Sequence, residues 1–290
     1  MARNGKILIV LHQSTSTPGR IGRWLRLRGL DLEMRYPVMG DALPATLEGY
    51  RGVVVFGGPG SVNDNCAHYR QVIDWLDVPL REEVPYIGIC LGGQMLAHFL
   101  GARVAPHPQG RWEVGYYPVR PTAAGRKLWA CWPDMVFQWH AEGFELPAGA
   151  ELLLEGLGDF PNQAFRHGAR AFGLQFHPEV TTHMLHRWSV RAADKLKMPG
   201  ARPRRELFEG KMVYDPAVAC WLESFLDRWL ALGRPGGEDA VSPASEKRNG
   251  KRVPVIDGFK TGAIAADDAA TSAPSDAAAS GCKGRAGVAS

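Results

Sequence analysis

The run Tyr86-Ile87-Gly88-Ile89-Cys90-Leu91-Gly92-Gly93-Gln94 puts one cysteine between an apolar stretch and a helical pattern that ends near Leu100-Gly101. A chain that reads this way must turn sharply from a strand into a helix, and the turn lifts the cysteine side chain clear of the sheet. Glycine two residues before and two after the cysteine lets the crossing backbones pass without collision. The helix starting at Leu91 aims its unpaired N–H groups and positive dipole end toward the sulfur, which suits an anionic nucleophile. An isolated cysteine is ordinarily a small buried hydrophobe; the glycine frame argues against that reading here.

The surrounding pattern predicts an α/β fold with a mainly parallel sheet flanked by helices. Residues 7–11 are a continuous apolar strand, as expected where both faces of a parallel sheet are covered. A helix over 19–30, a short strand over 32–36 and a strand over 53–56 follow. A helix then begins at Tyr69 and ends before Pro79, and 84–89 lead into the cysteine turn. This alternation places the strand ends, and any site on them, at the carboxyl edge of the sheet. Between 115 and 176 the texture changes to short strands (116–119, 135–139, 151–155, 164–166) separated by Pro and Gly turns, read as a small antiparallel region packed on the sheet. Helix returns over 179–196. Residues 198–211 read as a basic surface connection. Asp215-Pro216 supplies an N-cap and a first-turn proline for a helix running to Leu232. The composition shifts after that: residues 236–290 are rich in Ala, Gly, Ser and Asp, with Phe259 as the lone aromatic. Two regions are therefore expected, a folded domain over 1–235 and a disordered low-complexity tail over 236–290.

A cysteine nucleophile needs a base, and the base needs an orienting group. Ala171-Phe172-Gly173-Leu174-Gln175-Phe176-His177-Pro178-Glu179 supplies both. His177 stands at the end of a short apolar strand, and Pro178 keeps it extended. Glu179 can reach back to the ring nitrogen that faces away from sulfur. A third segment, Val53-Val54-Val55-Phe56-Gly57-Gly58-Pro59-Gly60-Ser61, is a β-branched run ending in a glycine turn. Gly57, Gly58 and Gly60 have N–H groups to donate and Pro59 does not; one of the three, with the N–H of Leu91, could form an oxyanion hole. The turn lacks the Lys-Ser/Thr ending of a phosphate loop.

These three segments, in this order, resemble the class I (triad) glutamine amidotransferase family, and within it stand-alone proteins similar to the glutaminase domain of GMP synthase. The resemblance covers roughly residues 6–196 and includes Phe137-Gln138-Trp139-His140 and Pro161-Asn162-Gln163-Ala164-Phe165-Arg166. It implies the flavodoxin-like architecture of that family, with Cys90 as nucleophile, His177 as base and acid, and Glu179 as the orienting carboxylate. Gly58 and Leu91 would supply the oxyanion donors. Gly60, Gln94, Trp139, His140, Ala141 and Glu142 would hold the amino-acid end of the substrate. Relatives usually carry His-Gly-Asp where this chain has His140-Ala141-Glu142. The implied reaction is hydrolysis of glutamine or another γ-glutamyl compound through a thioester, with no metal or cofactor. Three settings are open: a free-standing glutaminase, an ammonia-supplying subunit docked on a synthetase chain, and a γ-glutamyl peptidase.

Composition bounds the alternatives. The chain has 290 residues, 45% hydrophobic and 22% charged, with a formal charge of +4. That balance is ordinary for a globular protein and does not point to nucleic acid. Arg20, Arg23, Arg26 and Arg28 fall on the first predicted helix and read as a solvated face. Five cysteines without a CxxC pair argue against a zinc site and a disulfide framework. His183 and His186 lack partners at ligand spacing. No run approaches a membrane span, and the first strand begins too early for a signal peptide, so a cytoplasmic enzyme is expected.

Overall fold

Strand β1 (Lys6–Val10) sets the pattern of the molecule. In the computed structural model, which describes residues 5–233, Ile7 and Ile9 enter one apolar layer while Leu8 and Val10 enter the other, and all four are fully buried. A strand with side chains alternating between two faces can be apolar throughout only when both faces are covered. Helix α1 (Gly19–Leu27), β2 (Asp31–Arg35), β3 (Tyr50–Val55), α2 (Ala67–Trp75), α3 (Asp77–Arg81), β4 (Tyr86–Ile89) and α4 (Leu91–Phe99) follow. Next come β5 (Val104–Pro106), β6 (Glu113–Pro121), α5 (Ala123–Leu128), β7 (Met135–His140), β8 (Glu142–Phe144), β9 (Ala150–Gly156), β10 (Asn162–His167) and β11 (Ala171–Leu174). The described chain closes with α6 (Thr182–Arg191), α7 (Arg204–Val213) and α8 (Asp215–Ala231).

Nine strands form one sheet in the order β2-β1-β3-β4-β11-β10-β9-β6-β7, and β5 and β8 pair separately. The first five are parallel; β10, β9, β6 and β7 are antiparallel. The expected mainly parallel α/β sheet with a small antiparallel region is present, but its longer antiparallel strands are placed differently from the expectation. They extend the sheet edge to edge instead of packing on it. The tight return from His167 to Ala171 keeps β10 beside β11, whose outer N–H and C=O groups would otherwise be an open edge.

Helices α1 and α8 cover one face, through Ile21, Leu25, Trp221, Phe225 and Trp229. Helices α2 and α4 cover the other, through Tyr69, Val72, Met95 and Leu96. Over the antiparallel edge, α6 and α7 bury Met184, Leu185 and Leu207 against Val114 and Phe137. Two local expectations are corrected. The stretch read as a surface connection contains α7, whose buried Leu207 and Gly210 are a weak signal among exposed polar residues. The helix expected to end before Pro79 does so, at Trp75, and Pro79 falls in the first turn of the next helix, α3, where its missing N–H costs nothing. Asp215 does not cap α8; it sits in the first turn with its carboxylate in an ion-pair cluster. Cys90, Cys131 and Cys220 are free thiols. No helix among the described residues is long and apolar enough to cross a membrane. The boundary expected near residue 235 and the tail lie outside the described residues.

Candidate active site

Three adjacent parallel strands end at one edge of the sheet and deliver the three segments singled out from the sequence. Val55 of β3 is level with Gly88 of β4, and Ile89 of β4 with Leu174 of β11. Beyond these positions lie Gly57-Gly58, Cys90, and Gln175 to Glu179. Cys90 has φ 49° and ψ −107°, a conformation L-residues rarely adopt. It is held there by its own N–H, which donates to Leu174 O at 2.7 Å, and by the start of α4, where Gln94 N donates to Cys90 O at 2.8 Å. The flanking glycines are steric necessities. A Cβ on Gly88 would strike the Gly92 carbonyl, and one on Gly92 would strike Val55 O.

His177 and Glu179 close on this cysteine. Glu179 Oε1 lies 2.8 Å from His177 Nδ1, with both side chains nearly fully buried. The Cys90 sulfur is also close enough to the ring to act on its charge. Burial alone would lower the His177 pKa; the Glu179 carboxylate and the Cys90 sulfur outweigh it and push it up to about 10. The imidazolium is therefore the resting form at neutral pH. Trp188 of α6 stands edge-on to the His177 ring at 5.1 Å. Gly57 is a second steric necessity, since a Cβ there would meet His177 Cε1 at 2.9 Å.

Gly58 lies against the Leu91 side chain, so the two N–H groups named as oxyanion donors belong to touching segments. Neither N–H has a backbone acceptor among the described residues. Under Gly58 sits His12, fully buried beside Tyr69 and held neutral, its pKa lowered to about 3 by burial and by His68.

The remaining named residues form a continuous polar chain. Gln94 is buried, and its Nε2 donates to Glu142 O at 2.9 Å and to Gln175 Oε1 at 3.2 Å. Gln175 Nε2 in turn donates to Cys90 Sγ at 3.8 Å. His140 Nδ1 also meets Glu142 O, at 3.0 Å, and its Nε2 faces Gln138 Oε1 and Glu113 Oε2. Glu113 accepts further hydrogen bonds from Asp159 N and Gln163 Nε2. The Glu142 carboxylate accepts from Ser61 Oγ at 2.7 Å, beside Gly60 on the glycine turn; burial pushes its pKa up. Ala141 joins these two residues on the chain. Trp139 stands apart from this chain, packed edge-on to Trp188 on the His177 side. Sequence reasoning missed Gln175, Glu113 and His12. Buried polar residues inside apolar strands were the available signal for the first two.

A brace secures the acid. Arg20 N donates to Glu179 O, and the Arg20 guanidinium donates to Val180 O and to the Asp215 carboxylate at 2.6 Å. Lys211 pairs with Asp215 at 2.9 Å and also donates to Val180 O. Arg28 pairs with Asp227 and lies over Trp24. The arginine face expected to be solvated is therefore partly spent on internal contacts. His183 and His186 are exposed. Among the described residues no group of three or more His, Cys, Asp or Glu side chains is placed to hold a metal ion.

Residues 20–187 match the family model described as glutamine amidotransferase class-I. This chain belongs to the class-I glutamine amidotransferases. A glutamine amidotransferase-like protein of Salmonella typhimurium, YfeJ, is 31% identical over 185 residues, 61% of this chain and 76% of that protein. A glutamine-hydrolysing GMP synthase of Porphyromonas gingivalis is 32% identical over 182 residues, which are 60% of this chain and 33% of the synthase. The aligned part thus spans about a third of that relative's length. A solved glutamine amidotransferase from Methylobacillus flagellatus superposes with TM-score 0.74 at 25% identity, over 81% of this chain and 98% of its own. One from Thermotoga maritima gives 0.68 at 29% identity, over 78% and 98%. The amidotransferase match contains Cys90, His177 and Glu179 and stops before α7 and α8, so Lys211 and Asp215 brace the acid from outside it.

Proposed function

We propose that this chain is a free-standing amide hydrolase that releases ammonia from the glutamine side chain through a thioester on Cys90. The observation that carries this reading is the cluster of Cys90, His177 and Glu179 at one edge of the sheet, with Cys90 in a strained turn and His177 bonded to Glu179. The Cys90 sulfur, its proton carried by His177, attacks the side-chain carbonyl carbon. The oxygen takes up negative charge and is met by the N–H groups of Gly58 and Leu91; one such donor is typically worth about 10²–10³ in rate. The C–N bond breaks as His177 gives its proton to the departing nitrogen. Water then adds to the thioester, His177 takes its proton, and glutamate leaves. Gly60 and the stretch from Trp139 to Glu142 receive the amino-acid end, with Gln94 supporting Glu142.

Glutamate release by the isolated full-length chain across a glutamine series tests the proposal. Saturable turnover that vanishes in Cys90→Ala is the expected result, and equal turnover in Cys90→Ala overturns it. The similarity to GMP synthases, of which the P. gingivalis enzyme aligns with this chain over 33% of its length, favours one second reading: an ammonia-supplying subunit of a two-chain synthetase. Its signature is glutamine turnover that stays near background until a partner chain is added.

A further inference from the structure

A cavity of about 250 Å³ opens beside His177, and of the residues assigned to the glutamyl end it is lined by Trp139 and not by Gly60, Gln94, His140, Ala141 or Glu142. His177 and the turn Gly57-Gly58-Pro59 form its inner wall, and neither Cys90, Gln94 nor Glu142 lines it. It therefore begins where the amide nitrogen must leave, since His177 is the group that hands that nitrogen its proton. Ammonia needs little of this space; a molecule of its size occupies roughly 30 Å³. The outer wall is chemically specific. Trp139 and Trp188 give it an aromatic side. Arg187 and Arg191, four residues apart on α6 and so on one face of the helix, give it two guanidinium groups. Thr15, Ser16 and Thr17, from the loop after β1, add hydroxyls. Neither arginine has an ion-pair partner among the described residues; Arg191 has one long contact, to Thr15 Oγ1 at 3.5 Å. The single carboxylate in the lining, Glu179, is already held by His177.

We infer that this cavity is a leaving-group subsite, built for an amine that carries a carboxylate, so that the substrate class includes γ-glutamyl amino acids. This rests on the amide-hydrolase reading above. The carboxylate of the departing amino acid meets Arg187 and Arg191, because a planar guanidinium fork matches a carboxylate better than any other side chain. The tryptophans cover its side chain. The chemistry is unchanged: the C–N bond breaks, His177 protonates the amino nitrogen, and water completes hydrolysis to glutamate and a free amino acid.

The test uses a substrate pair that differs at this one feature. γ-Glutamylglycine and γ-glutamylethylamide share the scissile amide and nearly the same length, and the first alone has a carboxylate on the leaving group. With the full chain, kcat/KM for γ-glutamylglycine should exceed that for the ethylamide by about tenfold or more, the range of a charge-assisted hydrogen bond. In the Arg187→Ala/Arg191→Ala double variant the ratio should fall to about one. Both substrates are measured on one preparation, so loss of folded protein cancels in the ratio. A wild-type ratio near one, or a ratio that survives the double variant, overturns the subsite while glutamine and ethylamide turnover leaves the hydrolase reading standing. Failure to hydrolyse glutamine, γ-glutamylglycine and the ethylamide alike overturns both.

Discussion

The two halves of the sheet are held by different physics. The parallel half, β2-β1-β3-β4-β11, is apolar through its three central strands, and the residues proposed for the chemistry, Gly57-Gly58, Cys90 and His177, sit at the carboxyl ends. The antiparallel half carries its polar groups inside, with Glu113, Gln138, His140 and Gln163 buried and bonded to one another. An apolar strand can be rigid without side-chain direction, so it serves as a mount. A buried polar network holds only when every member is satisfied, so it specifies one register. The contrast implies a division of labour: damage to the parallel half costs rate, and damage to the antiparallel half costs stability.

The largest expected effect lies in the parallel half. His177→Ala should lower kcat for glutamate release by about 10⁴-fold or more, because members of such a unit fail together. Glu179→Gln should leave more activity. The thermal midpoint of each variant separates lost chemistry from lost fold. In the antiparallel half, Glu113→Ala takes the acceptor from Asp159 N, leaves Gln163 Nε2 with Phe160 O alone, and removes the carboxylate beside the His140 ring; it should cost about 3 kcal/mol by urea unfolding, with turnover per folded molecule within tenfold of wild type. A Glu113→Ala protein with an unchanged urea midpoint and no turnover would break the division. Gly57→Ala returns to the parallel half. Its new methyl must displace the His177 ring, and a misplacement of this kind costs about 10²-fold in kcat with the urea midpoint little changed.

The smallest effect is a slope. The His177 pKa is raised above its unfolded value, so the native state holds an extra proton in the window between them. The stability this contributes is whole below about pH 6.5 and is lost as pH rises toward about 10. The wild-type unfolding free energy from urea titrations should therefore fall across pH 7–10, by at most about 1.4 kcal/mol per pH unit. His177→Gln should flatten that slope. Parallel curves for the two proteins would remove the charge from His177.

The same contrast explains what could be read in advance. The strands at 7–11, 53–56 and 84–89 and the cysteine turn were legible because apolar runs and obligatory glycines are local signals. The antiparallel strands were legible as strands, but their attachment to the sheet edge was not: pairing of Arg120 with Glu155 is a non-local fact that no short window contains. Gln175 looks like a residue leaving a strand for a turn, yet it is fully buried and bonded to both Gln94 and Cys90. Arg20 reads as one of four solvated arginines because its partner, Asp215, lies 195 residues away.

That last distance has a consequence for how the protein comes into being. Arg20 is made early, Glu179 and Val180 follow, and Lys211 and Asp215 arrive near the end of the described chain. Until Lys211 and Asp215 are made, Glu179 has His177 and the backbone of Arg20, but the Arg20 guanidinium has no carboxylate to hold it and Val180 O lacks one of its two cations. A chain terminated before residue 211 therefore carries Cys90, His177 and Glu179 without the ion-pair cluster that braces them.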